Sequence, residues 1–212
     1  DFARLFVLLD GEAKLDLAEQ FESSAEHAGA LNVMLQARLG HAAQLTHTRV
    51  QHETDEAVLL TATSVEQGAD SRYRYHGFDL GGGLVRHELY TELMGEGATA
   101  DLGGACVLDH RRHGEIRISV DHAAPNCGSE QFFRGVLGGR SRGVFNGRAL
   151  IRAGADGSSV RQSNANLLLS PLAEMDTKIE TARNLIYKAC WHLDQGVVDK
   201  RLVAMAKWYG AR

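Results

Sequence analysis

From Arg4 to Ser170 the chain keeps one local habit. Apolar and polar residues alternate for a strand's length, and then glycines or a short polar turn intervene. "RLFVLLD" closes on Asp10-Gly11, "AKLDLAEQF" runs from Ala13 to Phe21, and "ESSAEHAGA" reads as a loop. "LNVMLQARLG" and "AQLTHTRVQHE" alternate on either side of Gly40-His41. "EAVLLTATSVEQ" and "SRYRYHGFDLGGGLVRHELYTEL" continue, with turns at Gly68 and Gly81-Gly82-Gly83; "ATADLGGACVLDH" and "GEIRISVDH" follow, with a turn near His113-Gly114. Alternation with period two predicts strands with one buried face. Starts recur every ~9–14 residues, so a helix-like coil of strands would hold two per rung. The same period is compatible with a sandwich. The stretch from His122 to Ser170, with short apolar runs between glycines and long Gln/Asn/Ser interludes, favours stacked β-rungs.

After Ser170 the period changes. Leu172, Met175, Ile179, Ala182, Ile186, Ala189 and Leu193 are spaced by threes and fours, which predicts a helix. Ser170 suits its N-cap, Pro171 its first turn and Gln195-Gly196 its stop. Such a helix is roughly 37 Å long at ~1.5 Å per residue. A second helix, with Val198, Leu202, Met205 and Tyr209 on one face, would fold back on it. Both stripes read as packing surface. The predicted division is residues 1–170 as a β core and 171–212 as a helical tail.

Composition narrows the function classes. The chain has 212 residues, 44% hydrophobic and 24% charged, which suits a globular protein. A net charge of −4 with scattered Lys and Arg gives no footprint for nucleic acid. No apolar run approaches the ~20 residues that span a bilayer. The chain starts at Asp1 without a Met or signal peptide and reads as a fragment or excised region. The 3 cysteines, Cys106, Cys127 and Cys190, are widely spaced and odd in number, which argues for a reducing compartment over a disulfide framework. With 23 glycines and 2 prolines the composition fits many tight turns between strands.

His110, His113, His122 and Cys127 form the one grouping with metal-ligand chemistry, and His122 and Cys127 are its candidate ligands. The spacing of "HRRH" is not that of a standard site, and no CxxC pair supports it. On the structural reading His110 and His113 are solvated turn residues, His122 ends a rung and Cys127 is a buried inert thiol. Cys106 in "GGACVL" and Cys190 beside Ala189 read as packing residues. "GEGATA" and "GGGLVR" lie between strands and read as turns, not dinucleotide loops. Asp121-His122 points to opposite faces of a strand, so it forms no local triad. A paired-carboxylate site would draw on residues far apart in sequence and stays open at this point.

"NVMLQARLGHAAQLTHTRVQHE", "LGGGLVRHELYTELMGEGATADLGGACVL", "DHAAPNCGSEQFFRGVL" and "GVFNGRALIRAGADGSSVRQSNANLLLSPLAEMDTK" together resemble the SufB/SufD family of iron–sulfur cluster assembly scaffolds, in the order of its SufD branch. The resemblance runs from about Asn32 to Lys178. It implies a right-handed parallel β-helix and an assembly with SufB and the ATPase SufC in the cytoplasm or plastid. After "DTK" the family continues into a proline-led strand and a "C-S-H-G-A-T" segment. Its histidine is implicated in cluster formation, and a helical domain that docks SufC follows. This sequence instead continues as "IETARNLIYKACWHLDQGVVDKRLVAMAKWYGAR", which resembles a C-terminal helix pair of acyl-CoA dehydrogenases without their flavin-binding or catalytic regions.

The expected fold is therefore mainly β, a right-handed parallel β-helix closed by a C-terminal α-helical hairpin whose amphipathic tail could cap an open end. The expected role is a non-catalytic scaffold in iron–sulfur cluster assembly in the cytoplasm. No tightly bound cofactor is expected, and a cluster would form only within a complex. The expected partner is a SufB-like subunit or a second copy, with SufC binding lost and neither nucleic acid nor membrane bound. Two further readings stand beside it: a carbohydrate-active β-helix protein, for which an aromatic content of 7% gives few stacking platforms, and a non-functional chimeric fragment.

Overall fold

In the computed structural model the described residues are 1–23, 29–196, 199, 201–202 and 204–205, without the side chains of 170–176, 178 and 193. The chain divides into two compact units, Asp1–Leu167 and Leu168–Arg212.

The first unit is a parallel β-solenoid. Odd-numbered strands β1 (Phe2–Leu9), β3 (Ala30–Leu39), β5 (Val58–Gln67), β7 (Leu84–Leu93), β9 (His113–His122) and β11 (Arg142–Ile151) stack in that order as one sheet. Even-numbered strands β2 (Lys14–Glu22), β4 (Gln44–His52), β6 (Arg72–Asp79), β8 (Thr99–Leu108), β10 (Gly128–Leu137) and β12 (Ser159–Leu168) form the other. Strands in one sheet start about 28 residues apart, so each turn of the coil uses two strands, as the alternation predicts.

One backbone device fixes that repeat. At the turn into each even-numbered strand one residue lies in the left-handed region: Glu12, Ala42, Asp70, Gly97, Asn126 and Gly157. These turns are linked along the coil, for example by Asp70 N donating to Glu96 O at 2.9 Å and Asn126 N donating to Asp156 O at 2.9 Å. Asx residues and glycine tolerate this conformation best, which explains "ADS", "PNC" and "ADGS" at these places. The turn expected at His113-Gly114 lies instead at Asp109–Arg112, where Arg112 N donates to Asp109 O. His113 opens β9. The alternation of "GEIRIS" extends back through His113, and the left-handed His110 makes the bend.

The core fills the space between the sheets. Leu35, Leu45, Leu59, Leu89, Leu93, Leu102 and Leu108 are fully buried, each on the inward parity of its strand.

The second unit contains the helix α1 (Leu169–Asp194). It runs unbroken through the place where the two resemblances meet. It starts at Leu169, so Ser170 lies within the first turn and is not the residue before it. Of the expected second helix, residues 201, 202, 204 and 205 are helical; Val198 and Tyr209 lie outside the described residues. Asp199 caps this segment by accepting the Leu202 N–H at 3.0 Å, and Leu202 is buried.

Among the described side chains of α1, those at least partly covered are Thr181, Ala182, Leu185, Ala189 and His192, while Ile179 is 52% and Ile186 46% exposed. The spacing predicts that Ile179 and Ile186 are covered by the β core or by a partner chain; in the single chain both are exposed. Cys190 is also exposed, not a packing residue. The threes and fours are satisfied equally by the neighbouring face through Leu185, and that face is the one covered. Leu172, Met175 and Leu193 lie outside the described side chains.

Candidate functional site

The interior of the solenoid carries an unusual load of polar groups. Because strands stack in register, inward residues form columns. His47, Tyr75, Leu102 and Gln131 make one; Arg49, Gly77, Gly104 and Phe133 a second; Gln51, Asp79, Cys106 and Gly135 a third. Arg49 Nη1 donates to Asp79 Oδ1 at 2.8 Å, and both side chains are all but fully buried. His47 bridges Tyr73 Oη at 3.1 Å and Glu19 Oε2 at 2.7 Å, which is satisfied when Tyr73 donates to Nδ1 and Nε2 donates to Glu19. His87 stacks on Tyr75, with ring centroids 5.3 Å apart, and its Nδ1 meets Thr61 Oγ1 at 2.7 Å. Glycines make this possible. A Cβ at Gly77 would lie 2.5 Å from the Tyr75 hydroxyl, and one at Gly104 would lie 2.7 Å from the Phe133 ring.

Burial alone would lower the pKa of Arg49, but Asp79 and Tyr75 together outweigh it and hold the guanidinium charged. Burial pushes Tyr73 well up, with Tyr75 and Glu19 adding, and it also raises Tyr75. His87 is held well below the usual imidazole range by burial and then by the charges of Arg49 and His47, so it is neutral. Burial, with Asp79, pushes the Cys106 thiol up to about 11 beside a cavity of about 30 Å³. The column is thus a set of fixed charges and dipoles. At Cys106 it offers no thiolate near pH 7.

The sequence-predicted ligands sit toward the last turn of the coil. His122 is buried, with Nε2 2.9 Å from Ser129 Oγ and Nδ1 without a partner. Burial lowers its pKa against the opposing pull of Asp121. Cys127 is buried, its Sγ donating to Gly95 O at 3.4 Å and Pro125 O at 3.5 Å, and burial raises its thiol. The two residues thus have separate partners. His110 lies on an exposed turn, 3.9 Å from Asp55. Among the described residues no group of three or more His, Cys, Asp or Glu is placed to hold a metal ion.

Sequence reasoning missed the Arg49–Asp79 pair and the His47 and His87 contacts. A signal existed. Arg49 and Asp79 are 30 residues apart, close to one turn of the coil, and both fall on the parity of buried neighbours.

The coil ends openly in sequence order. β11 and β12 are the last strands of their sheets, and β12 is exposed along its length, with Gln162, Asn164 and Asn166 on the parity that faces inward elsewhere. Gly147 makes room there for the Gln162 side chain and for Gln131 Oε1, which a Cβ would approach to 2.7 Å.

Together these features define a β-solenoid with a polar interior and terminal strands paired along one edge only. The family model for the SUF system FeS cluster assembly, SufBD core domain, matches residues 1–180, and the chain belongs to that family. The acyl-CoA dehydrogenase C-terminal domain model matches residues 153–212, so the two overlap across β12 and the start of α1. An iron–sulfur cluster assembly SufBD family protein of Synechocystis is 26% identical over 185 residues, covering 84% of this chain and 41% of the relative. The iron–sulfur cluster assembly protein SufD of Escherichia coli is 28% identical over 172 residues, covering 77% and 41%. A SufBD family protein of Mycobacterium tuberculosis is 34% identical over 143 residues, covering 64% and 36%. The chain spans about two fifths of the length of these relatives. No described helix is long and apolar enough to cross a membrane.

Proposed function

We propose that this chain acts in iron–sulfur cluster assembly as a structural and docking component, not as a catalyst. The observation that carries the reading is the open last turn, in which β12 presents its full length to solvent on a solenoid of the SufBD core family. An unpaired parallel edge supplies main-chain donors and acceptors to a partner strand with little demand on side chains. The occupant is a SufB-like subunit of the same family, or a second copy of this chain when that subunit is absent. Family membership favours this over a carbohydrate-active reading.

The segment after Lys178 follows the acyl-CoA dehydrogenase pattern, so the chain does not bind SufC. His122 and Cys127 hold no stable cluster on the isolated chain: each is engaged by its own neighbours, and among the described residues neither has two further ligands beside it.

Co-purification with SufB-like and SufC-like subunits, separately, tests the docking. Association with the first alone is the expected result, and co-elution with SufC alone would overturn it. A strictly monomeric chain indifferent to SufB leaves the inert-fragment reading. Anaerobic reconstitution followed by metal analysis tests the cluster. A stable chromophore that vanishes in Cys127→Ser would show that the chain does hold one.

A further inference from the structure

On the outer face of the sheet of even-numbered strands, β6, β8 and β10 form a trench. Read across the strands by register, its rows are Arg74–Asp101–Glu130, His76–Gly103–Phe132 and Phe78–Ala105–Arg134. The middle strand contributes almost no side chain at Gly103 and Ala105, so the outer strands rise as walls. Adjacent strands are ~4.8 Å apart, which sets the wall backbones ~9.6 Å apart. A flat ring in contact with both walls needs ~7–8 Å. The open trench holds about 400 Å³, within the range of small-molecule sites.

Three observations indicate what fits. The space above the floor is open, because a Cβ on Gly103 would meet nothing closer than Phe132 O at 3.6 Å. Phe132 is held in place by Arg134. The Arg134 guanidinium lies 3.8 Å from its ring centroid and donates to Ser163 Oγ at 3.1 Å, on β12, the neighbour of β10 away from β8. Phe132 and Phe78 remain 49% and 39% exposed. At one end Arg74, Asp101 and Glu130 enter none of the described hydrogen bonds or ion pairs, which leaves one planar donor and two carboxylate acceptors facing the trench.

We propose that this trench binds one planar heteroaromatic ring whose edge carries N–H donors beside a carbonyl acceptor, the pattern of a guanine-type purine. The ring stacks between Phe132 and the His76–Phe78 wall. Its N–H groups donate to Asp101 and Glu130, and its carbonyl accepts from Arg74. Carboxylates pair with such amino edges, and stacking on an aromatic wall is the usual support for a base. The ligand is a free nucleoside, not a polynucleotide, because the chain carries a net charge of −4.

The test is an amide-resolved NMR titration of the full chain with guanosine, with benzyl alcohol as a ring that lacks N–H donors. Guanosine should give saturable shifts at Gly103, Ala105 and Phe132. Gly103→Val fills the floor, has room for its Cβ and suits a strand, so it should melt as the parent does yet bind at least about tenfold more weakly. The Asp101→Asn, Glu130→Gln variant should weaken guanosine about tenfold and leave benzyl alcohol unchanged. No saturable shift up to about 1 mM overturns the proposal. So does wild-type affinity in a folded Gly103→Val, an acid variant without effect, or tighter binding of single-stranded RNA than of guanosine.

Discussion

Arg49 shows how much one side chain in the solenoid interior depends on its partner. Its Nη1 is satisfied by Asp79, while Nε and Nη2 are buried without a partner. Removing one half of such a pair leaves the other charge in a medium that solvates it poorly. Arg49→Met is therefore expected to cost about 3–5 kcal/mol, and Arg49→Met with Asp79→Leu to recover most of that loss. Urea unfolding of the two single variants and the double variant measures the coupling, and additive losses would show that the pair is not a unit. His87 makes a second residue-scale prediction. Its folded-state pKa lies below the ~6.5 of a free imidazole, so between those values the unfolded chain binds a proton that the folded chain does not. Stability is complete above about pH 6.5 and falls on acidification, by up to ~1.4 kcal/mol per pH unit from this group. His122 is shifted in the same direction. Unfolding measured from about pH 8 to pH 5 should show this slope in the parent and a shallower one in His87→Gln; equal slopes would place the titrating group elsewhere.

At the scale of the element, strands and helix were legible to different depths. Alternation locates the strands up to β9, because parity decides which side chain meets the core, but β12 falls on a Gln/Asn/Ser stretch that reads as a polar interlude and carries no apolar alternation. Alternation misplaces the turn beside His113, since it carries no mark of a left-handed residue such as His110. It is silent on the interior polar column, because polar residues on the buried parity look like errors until register pairs them one turn apart. In α1 the spacing identifies a helix and leaves its rotation open. The covered face runs through Leu185 and Ala189, and Ile186 is nearly half exposed. Ile186→Asp should therefore change stability by about 1 kcal/mol or less in the isolated chain, where a buried site would lose ~3 kcal/mol or more. Thermal unfolding of this variant decides between the two. A large loss would show that Ile186 is covered by a second copy in solution.

At the scale of the whole molecule the first unit behaves as a stack, and its stability should grade along the coil. Each turn contacts only its neighbours, so a terminal turn has one supporting neighbour and an inner turn has two. Burial follows this. Leu59, Val65, Tyr73, Val85 and Leu93 in the middle turns are at or near zero exposure, whereas β12 is exposed throughout and β1 over most of its length. Hydrogen exchange should accordingly be slowest in β5 to β8 and fastest in β1 and β12, with protection falling stepwise from turn to turn. This gradient also bears on the docking proposal. A partner strand added beyond β12 gives the last turn a second neighbour, so a SufB-like subunit should raise protection in β11 and β12 first and leave β1 and β2 unchanged. Uniform protection along the coil would mean that it opens as one cooperative body. Protection raised first at β1 would place the partner at the opposite end and overturn the assignment of β12 as the docking edge.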